Sequence, residues 1–243
     1  MTDHIGTIRA LYRYPVKSMA GERLTSAPLG WHGIEGDRRF AFMRAGDPSG
    51  FPWLTASKLP EMIRYRPLRA DPGDPSGPPT HVITPRGDQM ELRSEALQRE
   101  LSEAHRRDVH LVQLDQGVFD HSTLSVISAA TVTEIERRTG RPLDERRFRP
   151  NIVIETAGDT PFPEDAWVGR ILVFGERNDS PAMGVALRDL RCVMINLDPD
   201  TGASDPVVLK SVVQANESCA GVYGSTLRVG TVSIGDRVWL AEI

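Results

Sequence analysis

The stretch IGTIRALYRYPVKSMAGERLTSAPLGWHGIEGDRRFAFMR, Ile5–Arg44, decides the fold. Ile5, Ile8, Leu11, Tyr12 and Tyr14, with β-prone neighbours, predict a first strand from Ile5 to Pro15. Pro15 lacks the N–H that a central ladder needs, so it ends that strand or places it at an edge. Arg23–Leu29 reads as a second strand. In Arg38–Arg44, Phe40 and Phe42 alternate with Arg39, Ala41 and Met43, the period-two pattern of a strand with one buried face. Gly21, Gly30, Gly33 and Gly36 mark the turns between them. Strands packed this closely in sequence predict a small β-sheet or barrel.

The same pattern continues outward. DPGDPSGPP (residues 71–79) reads as the tip between strands Met62–Leu68 and His81–Thr84. Arg93–Arg107 predicts a helix with Leu97 and Leu101 on one face, followed by a strand over Asp108–Leu114. Ser128–Arg138 predicts a second helix, with Gly140 as its left-handed cap. Strands are expected at Asn151–Glu155, Arg170–Phe174, Ala182–Leu187, Cys192–Leu197, Leu227–Val229, Thr231–Ile234 and Arg237–Ala241. DPDTG (Asp198–Gly202) is a tight turn and Pro206–Gln214 a short helix. No repeat of 20–50 residues is visible. The expected fold class is mainly β with a few helices (α+β). The expected division is a small N-terminal β module over 1–92 and a β-barrel domain with short helices over 93–243.

Composition narrows the function classes. The chain has 243 residues, enough to bury roughly 70–75% of its extended surface. Its net charge of −4 argues against a general nucleic-acid binder, which would be strongly basic. Two cysteines, Cys192 and Cys219, are too few for a disulfide scaffold, a four-cysteine zinc site or a four-thiolate iron–sulfur cluster. No apolar run approaches a membrane span, and MTDHIGTIRALYRY has no secretory pattern, so a cytoplasmic location is expected.

Few residues suggest chemistry. Cys192 follows Arg191, and a thiolate beside a guanidinium is a better nucleophile or soft-metal ligand. A buried structural thiol is the other reading, and it serves equally for Cys219 in ESCAGVYG. Lys17–Ser18, Arg38–Arg39 and Arg146–Arg147 with Arg149 stand near expected strand ends. There they can clamp an anion or form solvated surface. Asp120, His121 and Ser122 are adjacent, which does not make a hydrolytic triad. No G-x-S-x-G, G-x-x-x-x-G-K-[ST] or H-E-x-x-H motif is present. His4, His32, His81, His105, His110 and His121 show no ligand-like pairing.

YPVKS (Tyr14–Ser18), GDRRF (Gly36–Phe40), FRPNIVIE (Phe148–Glu155), RC (Arg191–Cys192), DPDTG and GD-x-V (Gly235–Val238) occur in that order. The set resembles MOSC-domain proteins carrying the MOSC N-terminal β-barrel module, in the branch of the mitochondrial amidoxime-reducing component and its bacterial relatives. The resemblance spans roughly residues 5 to 242. It implies a MOSC-type β-barrel, a small N-terminal module, and a molybdenum cofactor (molybdopterin form) held between them.

By that resemblance Cys192 is the thiolate ligand of molybdenum. Lys17, Ser18, Arg38, Asp120, His121, Ser122, Arg149, Asn151, Leu190, Arg191 and Tyr223 match cofactor-binding positions, with Asp120 also a conceivable proton relay. The implied activity is two-electron reduction of small N-hydroxylated substrates such as amidoximes. Electrons would come from a separate partner of ferredoxin, flavodoxin or cytochrome b5 type. A second implied reading is a sulfur or cofactor carrier using a Cys192 persulfide, and a third is a binding module without activity. After Cys192 the chain reads VMINL where relatives often carry threonines, and Ala220 stands where phenylalanine is usual.

Overall fold

The computed structural model describes residues 2–71 and 77–242. The N-terminal half runs through strands β1 (Thr2–Arg13), β2 (Glu22–Leu24), β3 (Ser26–Gly30), β4 (Gly33–Ile34), β5 (Phe40–Arg44), β6 (Arg66–Arg69), β7 (Pro79–Ile83) and β8 (Gln89–Glu91). Helix α1 (Glu95–His105) and strand β9 (Val109–Gln113) follow. The second half contains β10 (Leu124–Ser128), α2 (Ala129–Thr139), β11 (Ile152–Thr156), β12 (Ile171–Phe174), β13 (Ala182–Leu190), α3 (Pro206–Asn216), β14 (Cys219–Arg228), β15 (Gly230–Ser233) and β16 (Arg237–Ala241).

Seven strands close a barrel in the order β1-β11-β10-β14-β13-β12-β16 and back to β1, with β2 added outside β1. Closure removes the free edges that an open sheet would expose. β10 and β11 are parallel, so the chain must cross over between them, and α2 is that crossover. Alternate residues fill one core: Leu124 and Val126, Ile152 and Ile154, Leu172 and Phe174, Met183 and Val185, Val238 and Leu240. Residues of the opposite parity, including Ala10, Ile127 and Val153, pack with Ile135 of α2 and with Val208 and Val212 of α3.

A separate cluster organises the N-terminal half. Phe40 and Phe42 of β5 pack with Leu54, Met62, Val82, Leu97, Leu101 and Val109. β5 pairs with β9, and β6-β7-β8 form a three-stranded sheet. The expected 71–79 tip would join β6 to β7, which pair antiparallel, and its residues 72–76 lie outside the described residues.

Several expectations change on contact with the fold. Met62–Leu68 is not one strand: a 3-10 turn over Pro60–Arg64 precedes β6. Arg23–Leu29 divides into β2, which joins β1, and β3, which joins β15 in another sheet. Cys192–Leu197 is a 3-10 turn closed by Ile195 N–H donating to Cys192 O (3.3 Å) and Leu197 N–H to Met194 O (3.0 Å). A strand would put Ile195 and Leu197 on one face. The turn sends Ile195 to the α2–α3 side and Leu197 to the N-terminal cluster. Leu227 belongs to the long strand β14. The helices fit their capping signals: Ser128 Oγ accepts from Thr131 N–H at the start of α2, and Gly140 closes it at φ +72°.

Phe148 ends the 3-10 turn Glu145–Phe148 and is fully buried among Ala10, Tyr12 and Val153. It anchors the turn that carries Arg149. Phe148→Ala is expected to lower the urea-unfolding free energy by about 3–5 kcal/mol, the cost of deleting a buried ring. A loss below about 1 kcal/mol would show that the turn is anchored elsewhere.

Candidate functional site

The site grows from the ends of β1 and β4, the segment leading into β10 and the start of β11. Arg38 follows the Gly36–Asp37 turn and is buried, with a left-handed backbone at φ +46°. Its guanidinium pairs with Asp37, meets Asp120 Oδ2 at 2.7 Å, donates to Arg149 O at 2.8 Å and reaches Asn151 Oδ1 at 3.4 Å. Asn151, also buried, accepts from Ser125 N–H and donates to Tyr12 O, fastening this cluster to β10 and β1. Asp37 in turn accepts from Tyr14 N–H at 2.7 Å. Sequence-distant residues 37, 38, 120, 149 and 151 therefore form one network.

Two more cations stand beside it. Lys17 Nζ donates to Phe119 O at 2.5 Å and lies 3.8 Å from Asp120 Oδ1. Arg149 stacks its guanidinium 4.2 Å from the Tyr14 ring centroid, while Arg38 lies 4.8 Å from the same ring. Arg149 Nη1 donates to Met19 O at 2.8 Å, and its buried Nη2 has no hydrogen-bond partner in the protein. Ser18 (φ +66°) and Arg149 (φ +50°) share the left-handed backbone of Arg38. For non-glycine residues that conformation costs on the order of 1–3 kcal/mol each and collects at functional sites.

Cys192 opens the 3-10 turn after β13 and is an exposed free thiol, whereas Cys219 is free and buried. The Cys192 thiol is within electrostatic reach of Lys17. Ser18 Oγ touches Met194 Sδ at 3.8 Å, which sets the Lys17–Ser18 turn against the turn that Cys192 begins. Arg191 is fixed by Nε to Ala220 O (2.6 Å), Nη1 to Phe148 O (2.7 Å) and an Nη2 contact with Asp189 Oδ2 (2.8 Å). That last contact is an ion pair without hydrogen-bond alignment. Gly221 makes the fit possible, because a Cβ there would stand 2.8 Å from Arg191 Nη2 and from Val126 O.

The remaining expected residues line the approach. Leu190, just before Arg191, is exposed at the end of β13. His121 and Tyr223 face each other with ring centroids 5.9 Å apart. Ser122 Oγ donates to Gly224 O at 2.8 Å, so Asp120, His121 and Ser122 each turn to a different partner. Three residues were missed. Tyr14 and Asp37 lie inside the YPVKS and GDRRF motifs, so the motifs themselves signalled them. Asp189 carries no local signal; its role depends on burial beneath Ser125 and Arg191.

Burial and charge compete at each titratable group. Burial would push the Asp120 carboxyl up, but Arg38 and Lys17 outweigh it and hold it below the usual carboxylate range. Burial lowers the Lys17 ammonium, with Asp120 opposing and Arg38 and Arg149 adding to the drop. Burial likewise brings Arg149 down to about 10, with Arg38 nearby adding to the effect. Asp189 moves the other way: burial pushes it up to about 6 and Arg191 only partly offsets this. Among the described residues, no group of three or more His, Cys, Asp or Glu side chains could hold a metal ion. No described helix is long and apolar enough to cross a membrane. The arrangement presents one exposed thiol near the buried cations Lys17 and Arg38, which Asp37 and Asp120 partly balance. It suits an anionic group that brings its own metal ligands and takes one more from the protein.

Both halves match known families: the MOSC domain over residues 106–239 and the MOSC N-terminal beta barrel domain over residues 5–121. The chain belongs to the MOSC-domain family. It is 32% identical over 134 residues to mitochondrial amidoxime-reducing component 1 of Mus musculus, covering 50% of this chain and 37% of that protein. It is 29% identical over 133 residues to mitochondrial amidoxime reducing component 2 of Bos taurus, covering 49% and 37%. It is 26% identical over 257 aligned residues to the molybdenum cofactor sulfurase of Oryza sativa subsp. japonica, covering 84% of this chain and 29% of that protein. The aligned regions thus span 37% of these amidoxime-reducing components and 29% of the sulfurase. Among solved structures, the YUAD protein of Bacillus subtilis shares the fold at a TM-score of 0.54 and 14% identity, with both chains fully covered.

The raised Asp189 fixes a sign for pH dependence. Between the unfolded carboxylate value, about 4, and about 6 the folded chain holds a proton that the unfolded chain has lost. Stability from this group therefore falls as pH rises through that window. Asp189→Asn is expected to be about 2 kcal/mol more stable than wild type at pH 8 and nearly equal at pH 4, by denaturant unfolding. Equal stabilities at both pH values would contradict the assignment.

Proposed function

We propose that this protein binds the molybdenum cofactor and reduces N-hydroxylated compounds, amidoximes or N-hydroxylated bases, with Cys192 as the protein ligand of the metal. The observation that carries the reading is the exposed Cys192 thiol beside Lys17, Arg38, Arg149 and Arg191. The buried Nη2 of Arg149, which has no hydrogen-bond partner in the protein, fits an anion supplied from outside it. When bound, the cofactor supplies two-electron chemistry for removing the N-hydroxyl oxygen.

The chain's own residues then divide the work. Lys17, Ser18 and Arg149 would hold the phosphate-bearing pterin from the side formed after β1 and before β11, with Arg38 contributing its charge beside them. Asn151 keeps Arg38 and the strand ends in register. Arg191 fixes the direction in which Cys192 leaves β13. Asp120, ionised through the neutral range, aligns Lys17 and Arg38, and the same two cations lower its affinity for a relayed proton. His121, Ser122, Leu190 and Tyr223 border the substrate side. The net reaction consumes two electrons and two protons and releases water. The electrons come from a separate donor of ferredoxin, flavodoxin or cytochrome b5 type.

A carrier of sulfur or cofactor, with a persulfide on Cys192, is the second reading. It is favoured by the extent of the match to the rice sulfurase, which covers 84% of this chain. Elemental analysis separates the two. The reductase reading expects about one molybdenum per chain, a drop of tenfold or more in Cys192→Ser, and loss of benzamidoxime reduction with a chemical electron donor. A persulfide on Cys192 by mass spectrometry, with cofactor-loaded protein leaving benzamidoxime unreduced, would establish the carrier instead.

A further inference from the structure

A cavity of about 430 Å³ opens beside the candidate site, within the range of small-molecule pockets, about 300–1,000 Å³. Arginines converge on it from separate segments. Arg64 ends the 60–64 turn, Arg66 lies on β6, Arg86 sits between β7 and β8, Arg146 lies in the 3-10 turn before β11 and Arg149 follows that turn. Asp200 is the acidic residue in the lining, and Arg146 already engages it at 2.7 Å while also pairing with Asp144. Arg66 and Arg86 have no carboxylate partner among the described residues, and Arg64 makes only a 3.5 Å contact with Pro85 O. Like charges lining one cavity favour a counter-charge, and the carboxylate in its lining, Asp200, is already engaged by Arg146.

The cavity is distinct from the cofactor cradle. Lys17, Ser18, Arg38, Asp120, Asn151, Arg191 and Cys192 are absent from its walls, and Arg149, stacked on Tyr14, is the shared partition. We propose that it binds a phosphate-bearing small molecule, bridging the β6–β8 sheet and the turn before β11. Guanidinium forks match phosphoryl oxygens, and a doubly charged phosphoryl group balances Arg64, Arg66 and Arg86 where a single carboxylate does not. Because the Arg149 carbonyl accepts from Arg38 Nη2 at 2.8 Å, occupancy of the cavity bears directly on the neighbouring site. The proposal stands independently of the reductase reading.

Titration calorimetry of the full chain with pyrophosphate, and separately with succinate, tests it. Arg66 and Arg86 are exposed, so the double variant Arg66→Gln/Arg86→Gln keeps the fold, which circular dichroism verifies. One pyrophosphate is expected per chain, bound more tightly than succinate and weakened at least about tenfold in the double variant. Unchanged pyrophosphate affinity would overturn the proposal and leave the arginines as a docking face for an acidic macromolecule. Succinate binding as tight as pyrophosphate would overturn the phosphate assignment. The molybdenum content of the double variant is expected to equal wild type; its loss would assign the arginines to the cofactor and overturn a separate site.

Discussion

The buried guanidinium of Arg38 is the constraint on which the rest of the site depends. A buried cation is tolerated only when its charge and its N–H groups are answered. Asp37, Asp120, Asn151 and the Arg149 carbonyl answer this one from three parts of the chain. Each partner is thereby placed. Asp120 is held between Arg38 and Lys17, Asn151 ties the network to β1 and β10, and the Arg149 carbonyl fixes the turn before β11. Removing any one of these partners would strand charge in the interior, so the N-terminal module and the barrel are locked together at this point.

The network also explains where the backbone is strained. Ser18, Arg38 and Arg149 are all left-handed without being glycine, and Arg38 donates to the Arg149 carbonyl. The barrel supplies the rigidity that keeps them there: β1 pairs with both β11 and β16, and Phe148 buries the turn that ends at Arg149. Preformed donors need little rearrangement to meet an anion, which is the physical use of such strain. The opposite shifts of Asp120 and Asp189 fit this division. Asp120 is ionised by the cations it aligns, while Asp189, deeper and half-answered by Arg191, retains its proton to about pH 6.

Much of this was legible in the sequence. The spacing of Phe40 and Phe42, the caps Ser128 and Gly140, and the short strands near the C-terminus all follow local rules that the fold obeys. The ordered motifs marked Lys17, Arg38, Arg149, Arg191 and Cys192. Their meeting in one place was not legible, because it rests on pairings between β1 and β11 and on a loop contact more than eighty residues from Arg38 in sequence. The Cys192–Leu197 segment misled because the apolar run Cys192–Ile195 suits a strand and a tight turn equally; which core each side chain enters decides between them. Strand β14 was mostly missed because Gly221 and Gly224 interrupt its pattern. Gly224 is nonetheless required, since a Cβ there would lie 2.1 Å from Gly184 O.

On the proposed reading, the cations around Lys17 and Arg38 hold a cofactor whose metal meets the Cys192 thiol. Anomalous diffraction at the molybdenum absorption edge, from crystals of the cofactor-loaded protein, locates that metal. One anomalous peak per chain is expected at bonding distance from the Cys192 sulfur. A peak remote from Cys192, or one bonded to Cys219, would contradict it.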